Sequence, residues 1–250
     1  MAGRVRRFLL AVVTVVLPAA SAVGMTVEPN PLLVGARFDG GTVRIRGSAD
    51  PESQVFVVVS GTHIKEQFNR KGRVGPVWAN VGTLEVSGVP RLCMIATSGP
   101  GSAGLDRGLA DSHLLDLEAV SRRAVLDPPA SDSESTRREY IKLKKSQGVF
   151  AYLPGAVQTE AGVKPGEFSV AIPWPVSGGP GAYTVDVIQV KAGAVLHTES
   201  ATLKVKLVGL PRWISLLAFE RGRLYGVLSV ASAICVGLLM GLVFRKGGGH

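Results

Sequence analysis

The chain has 250 residues, 46% apolar and 19% charged, with a mean hydropathy of +0.27 and a formal net charge of +9 from 28 Lys and Arg against 19 Asp and Glu. An intrinsically disordered protein would be poorer in apolar residues and richer in charge, so that class is excluded. The basic balance would fit a nucleic-acid binder only if the cations sat in the body of the chain, and many of them lie at its ends.

Arg4, Arg6 and Arg7 open the chain, an apolar run follows from Phe8 to Leu17, and Ala20-Ser21-Ala22 places small residues at the A-x-A spacing. This order predicts a secretory signal peptide over residues 1–22, since about ten apolar residues are half of what a spanning helix needs. From residue 23 short β-rich runs alternate with turn signals. The runs are 42–46, 54–60, 77–80, 83–87 and 92–97, and the separators are Asp39-Gly40-Gly41, Asp50-Pro51, Lys71-Gly72 and Gly88-Val89-Pro90. Such spacing predicts a mainly β body over 23–210, an immunoglobulin-like β-sandwich rather than alternating β and α units. Val43 and Ile45 alternate with Arg44 and Arg46 as in a half-buried strand, whereas Val55-Phe56-Val57-Val58-Val59 has the unbroken apolarity of a central one.

Residues 99–148 change character and predict a helical insertion. Leu114, Leu117 and Val120 carry a helical spacing. A second helix is expected from Ser131, with Glu134 three residues on as a capping box, Lys144 and Lys145 in the last turn and Gly148 as the residue that ends it. The β pattern resumes over 168–173, 182–190 and 195–206, with Lys191-Ala192-Gly193 as a hairpin turn. Tyr183, near the start of its strand, is placed to turn its hydroxyl back to the backbone as at the corner of an immunoglobulin-like sandwich.

Residues 211–223 intersperse Trp213, Ile214, Leu216, Leu217 and Phe219 with Arg212, Glu220 and Arg221, which predicts an amphipathic juxtamembrane segment. The next stretch, 224–244, holds 21 residues without a charge, flanked by Arg221 and Arg223 before it and Arg245 and Lys246 after it. At about 1.5 Å per residue it reaches roughly 30 Å, the thickness of the hydrocarbon core, and predicts one transmembrane helix. A signal peptide followed by one span places the body in the periplasm of a bacterial inner membrane and the tail, 245–250, in the cytoplasm. The flanking cations, with Arg212 among those on the exported side, run slightly against the positive-inside bias, and the signal peptide decides the orientation. Once signal and flanks are set aside, residues 23–210 hold 20 cations and 18 anions. That near-neutral body has no electrostatic footprint for nucleic acid.

Motif chemistry is sparse. Gly99-Pro100-Gly101-Ser102-Ala103-Gly104 fits G-x-G-x-x-G, but a dinucleotide site would also need a second parallel strand ending in an acid, for which Asp127 is the only candidate. Ser102 lacks the preceding Gly of a nucleophile elbow and no motif places a base beside it. Cys93 and Cys235 cannot pair across the membrane boundary, and His63, His113, His197 and His250 show no metal-ligand spacing. No cofactor, metal or catalytic residue is therefore assigned. Two basic clusters, Lys65/Arg70/Lys71/Arg73 and Arg137/Arg138/Lys142/Lys144/Lys145, could face anionic headgroups or an acidic partner.

Several segments together resemble a known family. They are Arg70-Lys71-Gly72-Arg73-Val74 with Val77-Trp78-Ala79-Asn80, Glu85-Val86 to Val89-Pro90, Tyr140 to Gly148 with its K-x-x-Q-G ending, Gly181 to Val187, Leu203 to Gly209, and Leu224-Tyr225-Gly226. The family is that of alphaproteobacterial putative transmembrane proteins, with a signal peptide, an exported β-rich body and a C-terminal anchor. Leu92-Cys93 replaces the aromatic residue that the family carries after V-P, so any role of that residue does not transfer. The resemblance implies the same topology and an association with transporters of the sulfite exporter type, and it carries no established activity.

The reading is a single-pass, membrane-anchored periplasmic module that contacts the lipid bilayer and binds or scaffolds an envelope protein, such as an integral membrane transporter. Arg70, Lys71, Arg73, Trp78 and Asn80 are the expected contact residues, because Trp beside cations and an amide is an anchor composition for interfaces. Two other readings make distinct structural demands. An envelope enzyme using His63 needs at least two further titratable groups around that imidazole. A solute-binding accessory domain needs the cations of 65–73 to converge on a concave site.

Overall fold

The computed structural model describes residues 24–245 apart from 103, 130, 131 and 160–165. The expected signal peptide, Ser131 of the expected capping box and the tail from residue 246 lie outside the described residues. In chain order the elements are β1 (Thr26–Glu28), β2 (Leu32–Val34), β3 (Gly41–Ser48), β4 (Gln54–Ser60), β5 (His63–Val74), β6 (Val77–Pro90) and β7 (Cys93–Thr97). Then come α1 (Arg107–His113), α2 (Leu117–Arg123), β8 (Val125–Asp127), α3 (Ser133–Ser146), β9 (Phe150–Pro154), β10 (Glu167–Trp174), β11 (Gly181–Lys191), β12 (Ala194–Leu207), α4 (Leu210–Glu220) and α5 (Gly222–Arg245). The chain is mainly β with one long apolar helix near its C-terminus.

Strand composition predicts strand position. β3 alternates, and Val43 and Ile45 are buried while Arg44 and Arg46 face out. β4 is apolar on both sides because it runs inside a six-stranded sheet, ordered β2-β12-β11-β4-β7-β9, that is covered on both faces. One face packs against the three-stranded sheet β1-β3-β10. There Val55, Val57, Val59, Val185, Val187 and Leu203 meet Val43, Ile45, Phe168, Val170 and Ile172 in one apolar layer. The opposite face carries Phe56, Val58, Ile95, Ile188 and Phe150, which pack under Ala110, Leu117, Val120, Tyr140 and Ile141 of the helices and under Leu84 and Val86 of β6.

The helical segment is therefore more than an insertion between two β-rich parts. It roofs the second core, and β3 pairs with β10 while β4 pairs with β11, so both parts of the chain contribute to both sheets. Two pairings, β2 with β12 and β7 with β9, are parallel, each reached by a long excursion of the chain.

Local signals act where they were expected, with one change at the start of α3. The Asp132 carboxylate accepts from the Ser135 N–H at 2.9 Å and supplies the cap. At the other end the Gly148 N–H donates to the Lys145 carbonyl and the Val149 N–H to the Lys144 carbonyl, with Gly148 at φ +72°, the Schellman arrangement. Ala192 and Gly193, at φ +50° and +80°, close the two-residue β11–β12 turn as a type I′ hairpin requires. The Tyr183 hydroxyl donates to the Gly179 carbonyl at 2.6 Å.

The largest departure is the hairpin β5–β6. The segment expected as a polar connection followed by two short strands is one ribbon of a 12-residue and a 14-residue strand. Only its root has an inner face to bury: Leu84, Val86 and Val89 are buried and Phe68 packs against them, while residues 69–83 carry no buried side chain among those described.

Candidate functional site

The five expected contact residues all lie in the distal half of this ribbon. Val74 pairs with Val77 across the two-residue turn Gly75-Pro76, with Gly75 at φ +62°. From that turn the ladder sets Arg73 directly opposite Trp78 and Lys71 directly opposite Asn80. Directly paired residues of an antiparallel ladder share a face, and so do residues two apart along a strand. Lys71, Arg73, Trp78 and Asn80 therefore form one four-residue patch. Arg70, one residue away, falls on the other face with Val77 and Val81, opposite Gly82. The five expected contact residues thus divide between the two faces of the ribbon, four on one and Arg70 on the other.

A bulge at Val81 sets which face of the ribbon, relative to its root, carries this grouping. Arg70 pairs with Gly82 and Lys71 with Asn80, so Val81 has no partner, and the alternation of β6 shifts by one residue beyond it. Were β6 to alternate unbroken through Val81, Trp78 and Asn80 would take the face of Leu84 and Val86. Gly72 makes room for the bulge, since a Cβ there would lie 2.8 Å from the Val81 methyls. Trp78 is 74% exposed, a large apolar surface held in water on a projecting ribbon. The Arg73 Nε donates to the Gly75 carbonyl at 3.2 Å, tying that cation to the turn.

The root of the ribbon is fixed by a contact that the sequence did not disclose. The Lys144 ammonium, with its side chain 5% exposed, lies 2.6 Å from Glu66 Oε1, and the Tyr140 hydroxyl donates to Glu66 Oε2 at 3.1 Å. Tyr140 stands edge-on to Phe68 and Phe150, and the ammonium sits 5.7 Å from the Tyr140 ring centre, within cation–π range. Burial, reinforced by the Glu66 carboxylate, pushes the Tyr140 phenol well above the usual tyrosine range. Tyr140 and Lys144 are four residues apart on α3, so one helix face anchors the strand. Lys65 adds an outer tie to Glu85 at 3.0 Å, and that ammonium holds the Glu85 carboxyl below its ordinary value.

The competing sites do not assemble. His63 is exposed at the start of β5 opposite Pro90, and its imidazole makes no hydrogen bond or ion pair with another described residue. Of the cations of 65–73, Lys65, Lys71 and Arg73 lie on one face of the ribbon and Arg70 on the other, and Lys65 is paired with Glu85. Asp127 lies on β8, which pairs antiparallel with β6 in a different sheet, while the parallel neighbour of β7 is β9, which ends in Pro154 and carries no acid. That loop is held by Gln54, whose Nε2 donates to the Gly101 carbonyl at 2.8 Å. The Ser102 hydroxyl donates to Asp116 Oδ2 at 2.8 Å, and the other oxygen of that carboxylate caps α2.

At the C-terminal end α4 carries exposed Trp213, Ile214, Leu216 and Phe219, and Arg221 forms its break with α5. Arg223 falls in the first turn of α5 and Arg245 ends it, while Lys246 lies outside the described residues. Within α5 the stretch Gly222–Gly241 is long and apolar enough to cross a membrane and is not buried against the rest of the chain.

Compared with known families, the sequence from residue 23 to residue 246 matches the one described as "Putative transmembrane protein (Alph_Pro_TM)", and the chain belongs to that family. No curated protein matches it.

Proposed function

We propose that the chain is a single-pass envelope protein whose exported body presents the tip of the β5–β6 ribbon to another envelope protein, such as an integral membrane transporter. The observation that carries this reading is the patch of Lys71, Arg73, Trp78 and Asn80 on one face of a ribbon that projects beyond its own core. A solvated ribbon of this length has no stabilising role for an exposed Trp, whereas a Trp framed by cations and an amide is the composition of an interface anchor. The buried Glu66–Lys144 pair holds the root, which limits the ordering cost of binding at the tip.

Topology follows from the two ends. Residues 1–22 serve as the signal peptide, α5 spans the inner membrane, the body is periplasmic and the short tail cytoplasmic. On this reading α4 lies along the membrane surface with Trp213 and Phe219 toward the lipid. Strand order supports an immunoglobulin-like body. β3 and β10 face β4, β11 and β12 in the order in which strands B and E face C, F and G, with β7 and β9 extending the second sheet as in variable-type domains. Tyr183, near the start of the F-like β11 with its hydroxyl on Gly179, fits the tyrosine corner. The ribbon then occupies the connection that follows strand C.

A photo-crosslinking side chain introduced at position 78 in intact cells tests the proposal. A discrete adduct with one envelope protein, absent when the same group is placed at exposed Thr198, is the expected result. No adduct at 78, or the same adducts from both positions, would overturn it.

A further inference from the structure

The body carries almost no net charge, yet its cations are not evenly spread. A groove of about 660 Å³ runs between α2 and α3. Six cations line it, Arg107, Arg122, Arg137, Arg138, Lys142 and Lys145, against only two carboxylates, Glu118 and Glu134. Helical spacing explains the alignment. Glu118 and Arg122 on α2 repeat at four residues, and Glu134, Arg138, Ile141, Lys142 and Lys145 on α3 recur at three or four, so each helix turns one stripe toward the groove. Leu117 and Ile141, both buried, give it an apolar floor.

Half of these charges are compensated within the chain. Arg122 pairs with Asp111 and Glu118, Arg138 with Glu134, and Lys142 with Glu139. Arg107, Arg137 and Lys145 form no ion pair with a described residue. Arg137 is also pre-positioned: its Nε donates to the Ala124 carbonyl at 3.0 Å, which fixes the half-buried guanidinium and leaves both terminal nitrogens to donate elsewhere. A fixed guanidinium with two free donors matches two oxygens of one phosphate-type group, and a flexible ammonium nearby adds a point charge.

We propose that this groove binds a small, multiply charged oxyanion of the phosphate type, with Arg137 as the fork and Lys145 and Arg107 closing the charge around it. The site uses no residue of the ribbon patch and is independent of the function proposed above. Headgroup phosphate and free phosphate share this chemistry.

The test titrates inorganic pyrophosphate into the full chain in phosphatidylcholine nanodiscs at roughly physiological ionic strength, where distant surface charges are largely screened. Saturable binding is expected, weakened by about tenfold or more in Lys145→Gln and in the double variant Arg137→Gln/Lys145→Gln, and unchanged in Arg44→Gln on the outer face of β3. Lys145 is exposed, so its single variant keeps the fold and reads the site alone. Competition from phosphatidylglycerol in the discs identifies a headgroup as the occupant, and equal binding in both lipids identifies a free solute. Non-saturable binding by the wild-type chain, or equal affinity in wild type and Lys145→Gln, would overturn the proposal.

Discussion

Glu66→Gln tests whether the Glu66–Lys144 pair is what attaches the ribbon to the body. The substitution keeps the size and polarity of the side chain but leaves the Lys144 ammonium, 5% exposed, without a counter-charge, and stranding one member of a buried pair costs about 3–5 kcal/mol. Lys144→Met leaves the Glu66 carboxylate instead. Its side chain is 23% exposed and still accepts from the Tyr140 hydroxyl, so water and that donor meet part of its demand and the loss should be nearer 1–3 kcal/mol. The double replacement Glu66→Leu/Lys144→Met should return to within about 1 kcal/mol of the parent, since apolar pairs of similar volume commonly replace buried ion pairs. A domain of this size shifts by roughly 2–4 °C per kcal/mol, which places Glu66→Gln about 6–20 °C below the parent in thermal unfolding of the full chain in detergent. Amide exchange gives a second reading: protection should fall at residues 63–68 and 84–90 and stay unchanged in β4 and β11. A loss below about 3 °C for Glu66→Gln, a greater loss for Lys144→Met, or a double variant no better than the worse single one would refute the reasoning.

Trp78→Ala should change stability by no more than about 0.5 kcal/mol, because the ring is exposed on an unsupported ribbon; a loss above about 2 kcal/mol in urea unfolding would mean that it packs. Gly47→Ala should cost about 1–3 kcal/mol, since a Cβ opposite Phe168 would lie 2.7 Å from that ring and force it out of the core; an unchanged denaturation midpoint would show that the ring yields freely. Burial pushes the Cys93 thiol up to about 12, so iodoacetamide at mildly alkaline pH should leave it unmodified until the chain is unfolded, as mass mapping of the Cys93 peptide will report. The Tyr140 phenol is raised in the folded chain above its ordinary value of 10.0, first by burial and then by Glu66, so the folded state stays protonated while the unfolded state ionises. That contribution is complete below the ordinary value and is lost as pH rises past it, so urea midpoints measured from about pH 9 to 11 should fall less steeply in Tyr140→Phe than in the parent.

Strands with a buried face were legible because burial writes itself into composition. The alternation of β3 and the continuous apolarity of β4 are direct records of one covered face and two. The distal ribbon has no covered face among the described residues, so its order leaves no periodicity to read, and Lys71-Gly72 resembles a break. In the structure Gly72 is the space that lets Val81 bulge out. The three-residue strands β1, β2 and β8 owe their assignment to partners far along the chain, which local composition cannot record.

Lys144 shows the same limit in one residue. By position it belongs to the last turn of a helix, where a cation opposes the helix dipole, and that signal was read correctly. Its larger role depends on Glu66, 78 residues earlier, being on the inner side of a strand that composition did not reveal. A carboxylate at an inward position between Ile64 and Phe68 is the one trace such a pair leaves in a sequence, and it can be recognised only after the strand is known. The same pairing bears on the functional reading. On the proposed function the Trp78 patch serves only if the ribbon is held at its root, where the Glu66–Lys144 pair adds to the burial of Leu84, Val86 and Val89 and the packing of Phe68. On the proposed function the two roles are separable: loss of Trp78 should abolish the proposed partner contact at constant stability, whereas loss of Glu66 should weaken both together.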